Sequence, residues 1–346
     1  MKEKIRLVQL GHPELGRKLA LVQEPALLFL NKFNSVYDLA VKAVTSGKDI
    51  VKLIQENLTG NSIPYDIAYN GLKGWKLLPS FDCPSNPYSC LVSGTGLTHK
   101  NSALNRQIMH QAEENKLTDS MKIYQWGLEG GQPSPGMIGT QPEWFFKGTG
   151  AILRGHGAAL TIPSFGDDGG EEPEIAGVYI VDEKGRPFRI GFTTSNEFSD
   201  HVMERKNYLY LAPSKLRNCS IGPELVIDND FADIQGMVSV SRNGMPVWSS
   251  SINTGEKNMA HSLGNLEYHH FKYPEHRQPL QSHVHFFGAD AFSFGSKIKL
   301  EAGDEMQVHW EGMGRPLKNH LVIETNEEEY IAVKSIQNQA SEFATK

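Results

Sequence analysis

The sequence predicts an α+β protein in which a small N-terminal α/β domain (residues 1–90) precedes a larger, mostly β domain (residues 91–335) and a short polar tail (336–346). Three observations predict it: helix-period apolar spacing within the first ninety residues, a proline-rich break after them, and strand-like segments punctuated by glycine and proline beyond. Ile5 to Gln9 and Leu19 to Val22 read as short strands. In the run from Ser35 to Val44, Ser35 is placed to cap the orphan amides of a helix, while Val36, Leu39, Ala40 and Ala43 share one face. A second helix is expected from Asp49 to about Asn57. Pro79, Pro84 and Pro87 then break the pattern, because proline disfavours helix at and before its own position, and the domain boundary follows near residue 90. Beyond it, Ile175 to Val181, Met237 to Arg242, Lys297 to Leu300 and Met306 to Trp310 read as strands. Helices are expected there only over Ser102 to Lys116 and around Met259. The tail after Lys334 is polar and expected to fray.

Composition narrows the class of function. Of 346 residues, 39% are hydrophobic and 21% charged, as in ordinary globular proteins. A formal charge of −6 with no basic stripe excludes a nucleic-acid partner of the usual kind. The first residues lack a secretory signal pattern, and no stretch approaches the roughly 18 apolar residues of a membrane span. Cys83, Cys90 and Cys219 form neither an even disulfide framework nor a CxxC pair, so a reducing, cytoplasmic compartment is expected.

The most informative stretch runs from Glu171 to Val181. If it enters a strand, Glu172 and Glu174, two apart, project to the same side. Paired carboxylates repel unless a proton or cation sits between them, and a hard divalent ion resolves the conflict with oxygen ligands. A solvated strand edge would show the same spacing, which by itself does not decide.

The order of motifs is more specific. Glu172-x-Glu174 is followed by Gly191-x4-Asn196-Glu197-x-Ser199, then Lys215, Gly222-Pro223, Asn243-Gly244 and Leu300-x-x-Gly303-Asp304. This order, over roughly residues 91 to 325, resembles the fumarylacetoacetate hydrolase superfamily. The resemblance implies a rolled, mixed-β domain that binds Mg²⁺, or else Mn²⁺ or Ca²⁺, through Glu172, Glu174 and Glu197. Glu197 stands where the family usually has aspartate. Within the superfamily, Gln141-Pro142-Glu143-Trp144-Phe145-Phe146-Lys147 resembles the R-P-E-x-F-F-K segment of the 2-keto-3-deoxy-pentonate dehydratase branch. The segment from Asn207 to Lys215 resembles its N-P-L-Y-L-P-Q-A-K, and Gly94 to His99 its G-x-T-Y stretch. The hydrolase branch carries a water-activating histidine where this chain has Ser102, and a serine without a neighbouring base cannot take that proton. A shifted alignment would put His99 in that place.

The resemblance therefore implies dehydration of a 2-keto-3-deoxy sugar acid, with Lys215 and Glu143 handling protons beside the metal and Thr98, His99, Ser102, Arg106, Lys147 and Ser199 near the substrate. Lys215 is read either as the base at C3 or as the group holding the enolate oxygen, and Arg106 as a fork for the substrate carboxylate. The partners implied are a small 2-keto acid and further copies of the chain, with no nucleic acid and no membrane. The alternatives are a carbon–carbon hydrolase, decarboxylase or tautomerase acting on 2,4-diketo acids, and a metal-binding protein without catalysis. His283 and His285 have same-face strand spacing, but a hard-oxygen site elsewhere makes an imidazole metal site unnecessary. His269 and His270 are expected in a long polar connection before Pro274, a mobile or interfacial loop. Gly94-Thr95-Gly96 lacks the full dinucleotide fingerprint, and Gly166 to Gly170 reads as a flexible turn or lid hinge beside the site.

Overall fold

The computed structural model describes residues 4–110, 117–227 and 230–336. The chain opens with an antiparallel meander, β1 (Ile5–His12), β2 (Gly16–Gln23) and β3 (Ala26–Leu30). Helix α1 (Val36–Ser46) starts where the Ser35 hydroxyl accepts from the Asp38 amide at 3.0 Å. It ends at Gly47, whose φ of 63° suits glycine. Asp49 caps α2 (Ile50–Glu56) in the same way, accepting from Lys52 N at 2.9 Å. Next come β4 (Leu58–Pro64), α3 (Tyr65–Tyr69) and the two-residue β5 (Lys76–Leu77).

After the proline-rich stretch come β6 (Cys90–Gly94), α4 (Lys100–His110), α5 (Asp119–Gly130), β7 (Phe145–Thr149), β8 (Leu153–Arg154) and β9 (Ala159–Ile162). The long neighbours β10 (Pro173–Val181) and β11 (Pro187–Asn196) lead into short helices α6 (His201–Lys206) and α7 (Leu211–Ser214). The remainder is β12 (Cys219–Ile227), the hairpin β13 (Ile234–Arg242) and β14 (Met245–Thr254), α8 (Leu263–Phe271), β15 (Ser282–Phe286), β16 (Glu305–Trp310) and β17 (Leu317–Ile323).

Among the described residues the strands form a 12-stranded mixed sheet and a five-stranded sheet. The first is ordered β4-β3-β2-β1-β12-β11-β10-β15-β6-β7, with β5 beside β1 and β8 beside β12; the second is β14-β13-β16-β17-β9. The predicted α+β class, dominated by sheet, is the one observed. Strand β10 is buried along its whole length, because its two faces feed two cores. Ala176, Val178 and Ile180 pack with Leu39, Leu53 and Ile54 of α1 and α2, and Ile175, Tyr179 and Val181 pack with Leu266, Val238 and Trp310. Each such apolar side chain stabilises by about 1.5–3 kcal/mol on burial, which explains why β10 reads as a nearly unbroken apolar run. The division expected at residue 90 marks no gap in the sheet: β1 pairs with β12, and α1 and α2 share a core with β10, β12 and β15.

Several local expectations are corrected. Lys297 to Leu300 is no strand: a 3-10 turn, Ser293–Ser296, ends at Lys297 with φ 60°, which breaks any extended run. The residues around Met259 form turns, and helix starts only at Leu263, where the Ser262 hydroxyl accepts from Asn265 N. His269 and His270 belong to that helix and are buried, not mobile. Helix α4 covers 100–110, and the expected continuation to Lys116 lies outside the described residues, as does the tail from 337 on. No helix among the described residues is long and apolar enough to cross a membrane.

The buried histidines form a wired cluster rather than a metal site. Trp144 Nε1 donates to His270 Nδ1 at 3.2 Å, which leaves His270 Nε2 to donate to His283 Nδ1 at 3.0 Å. His285 bonds Ser93 and Thr95 through its two ring nitrogens, each at 2.8 Å. Burial pushes the pKa of His283 and His285 down to about 3, with His276 adding repulsion. These histidines stay neutral in the fold but bind protons in the unfolded chain below its ordinary pKa of about 6.5. Stability is therefore complete above about pH 6.5 and falls as the medium is acidified towards the folded values. His283→Phe should remove about 1.4 kcal/mol per pH unit from the slope between pH 6.5 and 5, measured by urea unfolding at several pH values; an unchanged slope would refute it.

Candidate active site and metal centre

Strand register builds the site. In the β10–β11 ladder Pro173 faces Asn196, and the Glu197 amide donates to the Glu172 carbonyl at 2.9 Å, extending the pairing by one residue. Glu197 thus sits across from Glu172, with Glu174 two residues along on the same face. Carboxylate oxygens of all three lie within 4.8 Å of one another, and all three side chains are buried. Asn196 Oδ1 accepts from the Glu172 amide at 3.1 Å and fixes the corner.

Two lysines hold two of the three carboxylates. Lys215, just after α7, donates to Glu172 Oε1 at 2.6 Å, Glu197 Oε2 at 2.8 Å and Ser199 Oγ at 3.1 Å. Lys147 on β7 approaches Glu197 Oε1 at 2.6 Å and donates to the carbonyls of Phe198 and Lys215 at 2.6 and 3.1 Å. Each ammonium has three donors and each meets three acceptors. Burial works against the Lys215 charge, but Glu172, Glu197 and Glu204 outweigh it and raise its pKa. Burial likewise opposes ionisation of Glu172, yet Lys215 and His201 hold it well below the usual carboxylate range. Glu174 differs: among the described residues its carboxylate accepts only from the Gly288 amide, at 2.7 Å. Burial, then the charges of Glu197 and Glu172, push its pKa well up.

A second layer adjoins this one. Arg106 on α4 donates to Glu143 Oε1 and Oε2 at 2.8 and 3.0 Å and, through Nε, lies 2.6 Å from Glu204. Tyr208 donates its hydroxyl to Glu143 Oε1 at 2.8 Å. Glu143, Arg106 and Glu204 are all buried. In the first layer, Lys147, Lys215 and His201 face Glu172 and Glu197, while Glu174 has no ion-pair partner among the described residues. Three carboxylates, one of them without a cation beside it, are a donor set that fits a hard ion such as Mg²⁺.

No protein-family model matches the chain. It is 28% identical over 179 residues to a probable 2-keto-3-deoxyxylonate dehydratase of Haloferax volcanii, covering 50% of this chain and 58% of the relative. It is 30% identical over 121 residues to a 2-dehydro-3-deoxy-D-arabinonate dehydratase of Saccharolobus solfataricus, covering 34% of this chain and 39% of the relative. The matched parts thus span less than two thirds of either relative. A solved 2-keto-3-deoxy-D-arabinonate dehydratase, complexed with magnesium and 2,5-dioxopentanoate, superposes with a TM-score of 0.67 at 18% identity, covering 93% of this chain and 100% of that one. A 5-carboxymethyl-2-hydroxymuconate delta-isomerase from Mycobacterium smegmatis superposes with a TM-score of 0.55 at 18% identity, covering 92% and 100%. The chain has the fumarylacetoacetate hydrolase-like fold.

Within this fumarylacetoacetate hydrolase-like framework the expected residues take distinct places. Glu172, Glu174, Glu197, Lys215 and Ser199 converge, Ser199 donating to the Glu197 carbonyl at 2.8 Å. Lys147, expected at the substrate, is committed to the far oxygen of Glu197. Arg106, expected to fork a substrate carboxylate, lies between Glu143 and Glu204. Thr98 donates to the Phe287 carbonyl at 2.7 Å, and Gly288 lies so close to its hydroxyl that a Cβ would stand 2.0 Å away, with φ 98° besides. Thr98 therefore shapes the turn whose amide reaches Glu174. His99 is buried between Thr98 and Thr254, at 2.9 and 3.2 Å, and burial lowers its pKa to about 3. Ser102 is buried on α4.

The Gly166 to Gly170 segment is clamped, not hinged. Gly170 and Ser199 exchange two backbone hydrogen bonds at 2.9 and 3.1 Å, and Asp200 Oδ2 accepts from the Asp167 amide at 2.9 Å. Asp200 also caps α6 through Met203 N at 2.8 Å. From that helix His201 reaches Glu172 at 3.0 Å and Glu204 reaches Arg106. Sequence reasoning missed His201, Glu204 and Tyr208. The first two stand three apart after a capping aspartate, a one-face signal that was legible; Tyr208 carried none.

Proposed function

We propose that the chain is a Mg²⁺-dependent dehydratase that removes water from a 2-keto-3-deoxy sugar acid, such as 2-keto-3-deoxy-arabinonate giving 2,5-dioxopentanoate, in pentose catabolism. The observation that carries this reading is the buried trio Glu172, Glu174 and Glu197, in which Glu174 lies beside neither lysine, next to the layer in which Arg106 holds Glu143. The names of the similar dehydratases, and the magnesium and dioxopentanoate of the solved neighbour, support the same chemistry.

Glu172, Glu174 and Glu197 would hold the ion, which when bound supplies Lewis acidity to the 2-keto group and its neighbouring carboxylate. All three donors of Lys215 are turned towards Glu172, Glu197 and Ser199, so it has no lone pair with which to take the C3 proton, and its role is to offset, as a nearby positive charge, the negative charge that develops beside the ion. Glu143, kept near its partners by Arg106, takes that proton and returns it to the departing C4 hydroxyl, so one carboxyl serves both steps and one water leaves. Tautomerisation of the product towards C5 gives the semialdehyde. The competing carbon–carbon hydrolysis needs a water-activating base. His99, the histidine that could serve, has both nitrogens engaged and a pKa of about 3, so it is a poor base at neutral pH.

Incubating the protein and MgCl₂ with 2-keto-3-deoxy-pentonates and with acylpyruvates, and reading products by mass, tests the reading. Loss of 18 mass units (about one water) from the first class is the expected result. Cleaved fragments from the second class alone would sink it. We further propose a cytoplasmic homo-oligomer, supported by the exposed apolar side chains Leu209, Tyr210 and Leu216 flanking Lys215.

A further inference from the structure

The Glu143 carboxylate is held on three sides, and its two oxygens are not equivalent. Oε1 accepts from both Arg106 NH1 at 2.8 Å and the Tyr208 hydroxyl at 2.8 Å, which uses its two lone pairs. Among the described residues Oε2 accepts from Arg106 NH1 alone, at 3.0 Å, and it lies against the Gly96 backbone, where an added Cβ would stand 1.8 Å from it. One lone pair remains on Oε2. The Arg106 guanidinium sits 6.0 Å from the Tyr208 ring centroid and is tied on its other side to Glu204. The charged and titratable groups around the carboxylate are therefore Arg106 from α4, Glu204 from α6 and Tyr208 from the turn after it, with Glu172 and Lys215 acting on Arg106 and Glu204 from the metal layer.

We infer that Tyr208 is a positioning residue of this site, its hydroxyl occupying Glu143 Oε1 so that Oε2 is the oxygen that exchanges a proton with substrate, and that Gly96 is glycine because Oε2 needs the space. The inference rests on the proposed role of Glu143. A phenol donating to a carboxylate favours its ionised form. Losing that bond frees a lone pair on Oε1 and lets the proton settle on the wrong oxygen. Tyr208 stands where the similar dehydratase segment carries proline, so this hydroxyl is a feature of the present chain.

Two readouts separate this inference from the functional reading. In protein labelled with ¹³C at the glutamate δ-carbon, the Glu143 resonance is assigned by its loss in Glu143→Gln, and no substrate is needed. At pH 7, Tyr208→Phe should displace that resonance, because one of the two hydrogen bonds on Oε1 is lost. Against 2-keto-3-deoxy-pentonates with Mg²⁺, Tyr208→Phe should lower kcat about tenfold or more with KM nearly unchanged. Gly96→Ala should lower kcat at least as far while the folded near-ultraviolet spectrum persists. A Glu143 resonance in Tyr208→Phe that superposes on that of the parent protein would overturn the inference. So would a Tyr208→Phe enzyme with parental kcat. Absence of turnover in the parent with every keto acid tried would instead remove the functional reading, and the resonance shift would still decide what Tyr208 does.

Discussion

Glu174→Gln is expected to make the metal-free protein more stable, by about 1–3 kcal/mol at pH 7, and to abolish the stabilisation that magnesium confers. The two signs come from one cause. Glu174 is buried beside Glu172 and Glu197, accepts one hydrogen bond from the Gly288 amide, and touches neither lysine. Without a cation it must either carry an unpaired buried charge or bind a proton far above its ordinary pKa, and both are unfavourable. An amide of the same shape removes that strain while still accepting from Gly288. In the parent protein, magnesium at a hundred times its dissociation constant should add about 2.7 kcal/mol, and in the variant it should add almost nothing. Thermal melts with MgCl₂ and with chelator read both effects. A variant less stable than the parent in chelator, or still stabilised by magnesium, would show that the three carboxylates do not share an ion.

Lys215→Met should have the opposite effect on the metal-free protein. Its ammonium is the cation shared by Glu172 and Glu197 at 2.6 and 2.8 Å, and all of these groups are buried. Removing one partner of a buried pair leaves uncompensated charge and costs about 3–5 kcal/mol. Because the remaining carboxylates then face less positive charge, added magnesium should recover part of that loss. Turnover should fall by about a thousandfold or more, since the positive charge that offsets the negative charge developing beside the ion is gone. Urea unfolding with and without magnesium, with initial rates on the keto acid converted by the parent, gives all three quantities. Retained turnover would show that Lys215 is a structural counterion alone.

What could be read from the residues follows a physical line. The Ser35 and Asp49 caps, the apolar stripe of α1 and the strand of β10 depend on neighbours one to four positions away, and each is where the sequence places it. Segments whose conformation is settled by distant contacts were misread. Lys297 to Leu300 has strand-like composition but follows a left-handed turn. Helix α8 hides its apolar face behind His269 and His270, which read as polar until His270 is seen bonded to Trp144 and His283.

The candidate site divides in the same way. Local spacing puts Glu172 and Glu174 on one face, and the motif order names Glu197, Lys215 and Glu143. Whether Lys147 and Arg106 face substrate or other side chains is a question of three-dimensional neighbours. The fold answers it by running β7 past Glu197 and α4 past Glu143 and Glu204. The sequence by itself determined which residue types could hold a divalent ion and which strand would present them, because alternation along a strand is a local property. Only the tertiary structure decided which charges are paired, which carboxylate lacks a cation and which oxygen of Glu143 stays open, because Coulomb energies and hydrogen bonds depend on distances between residues far apart in the chain.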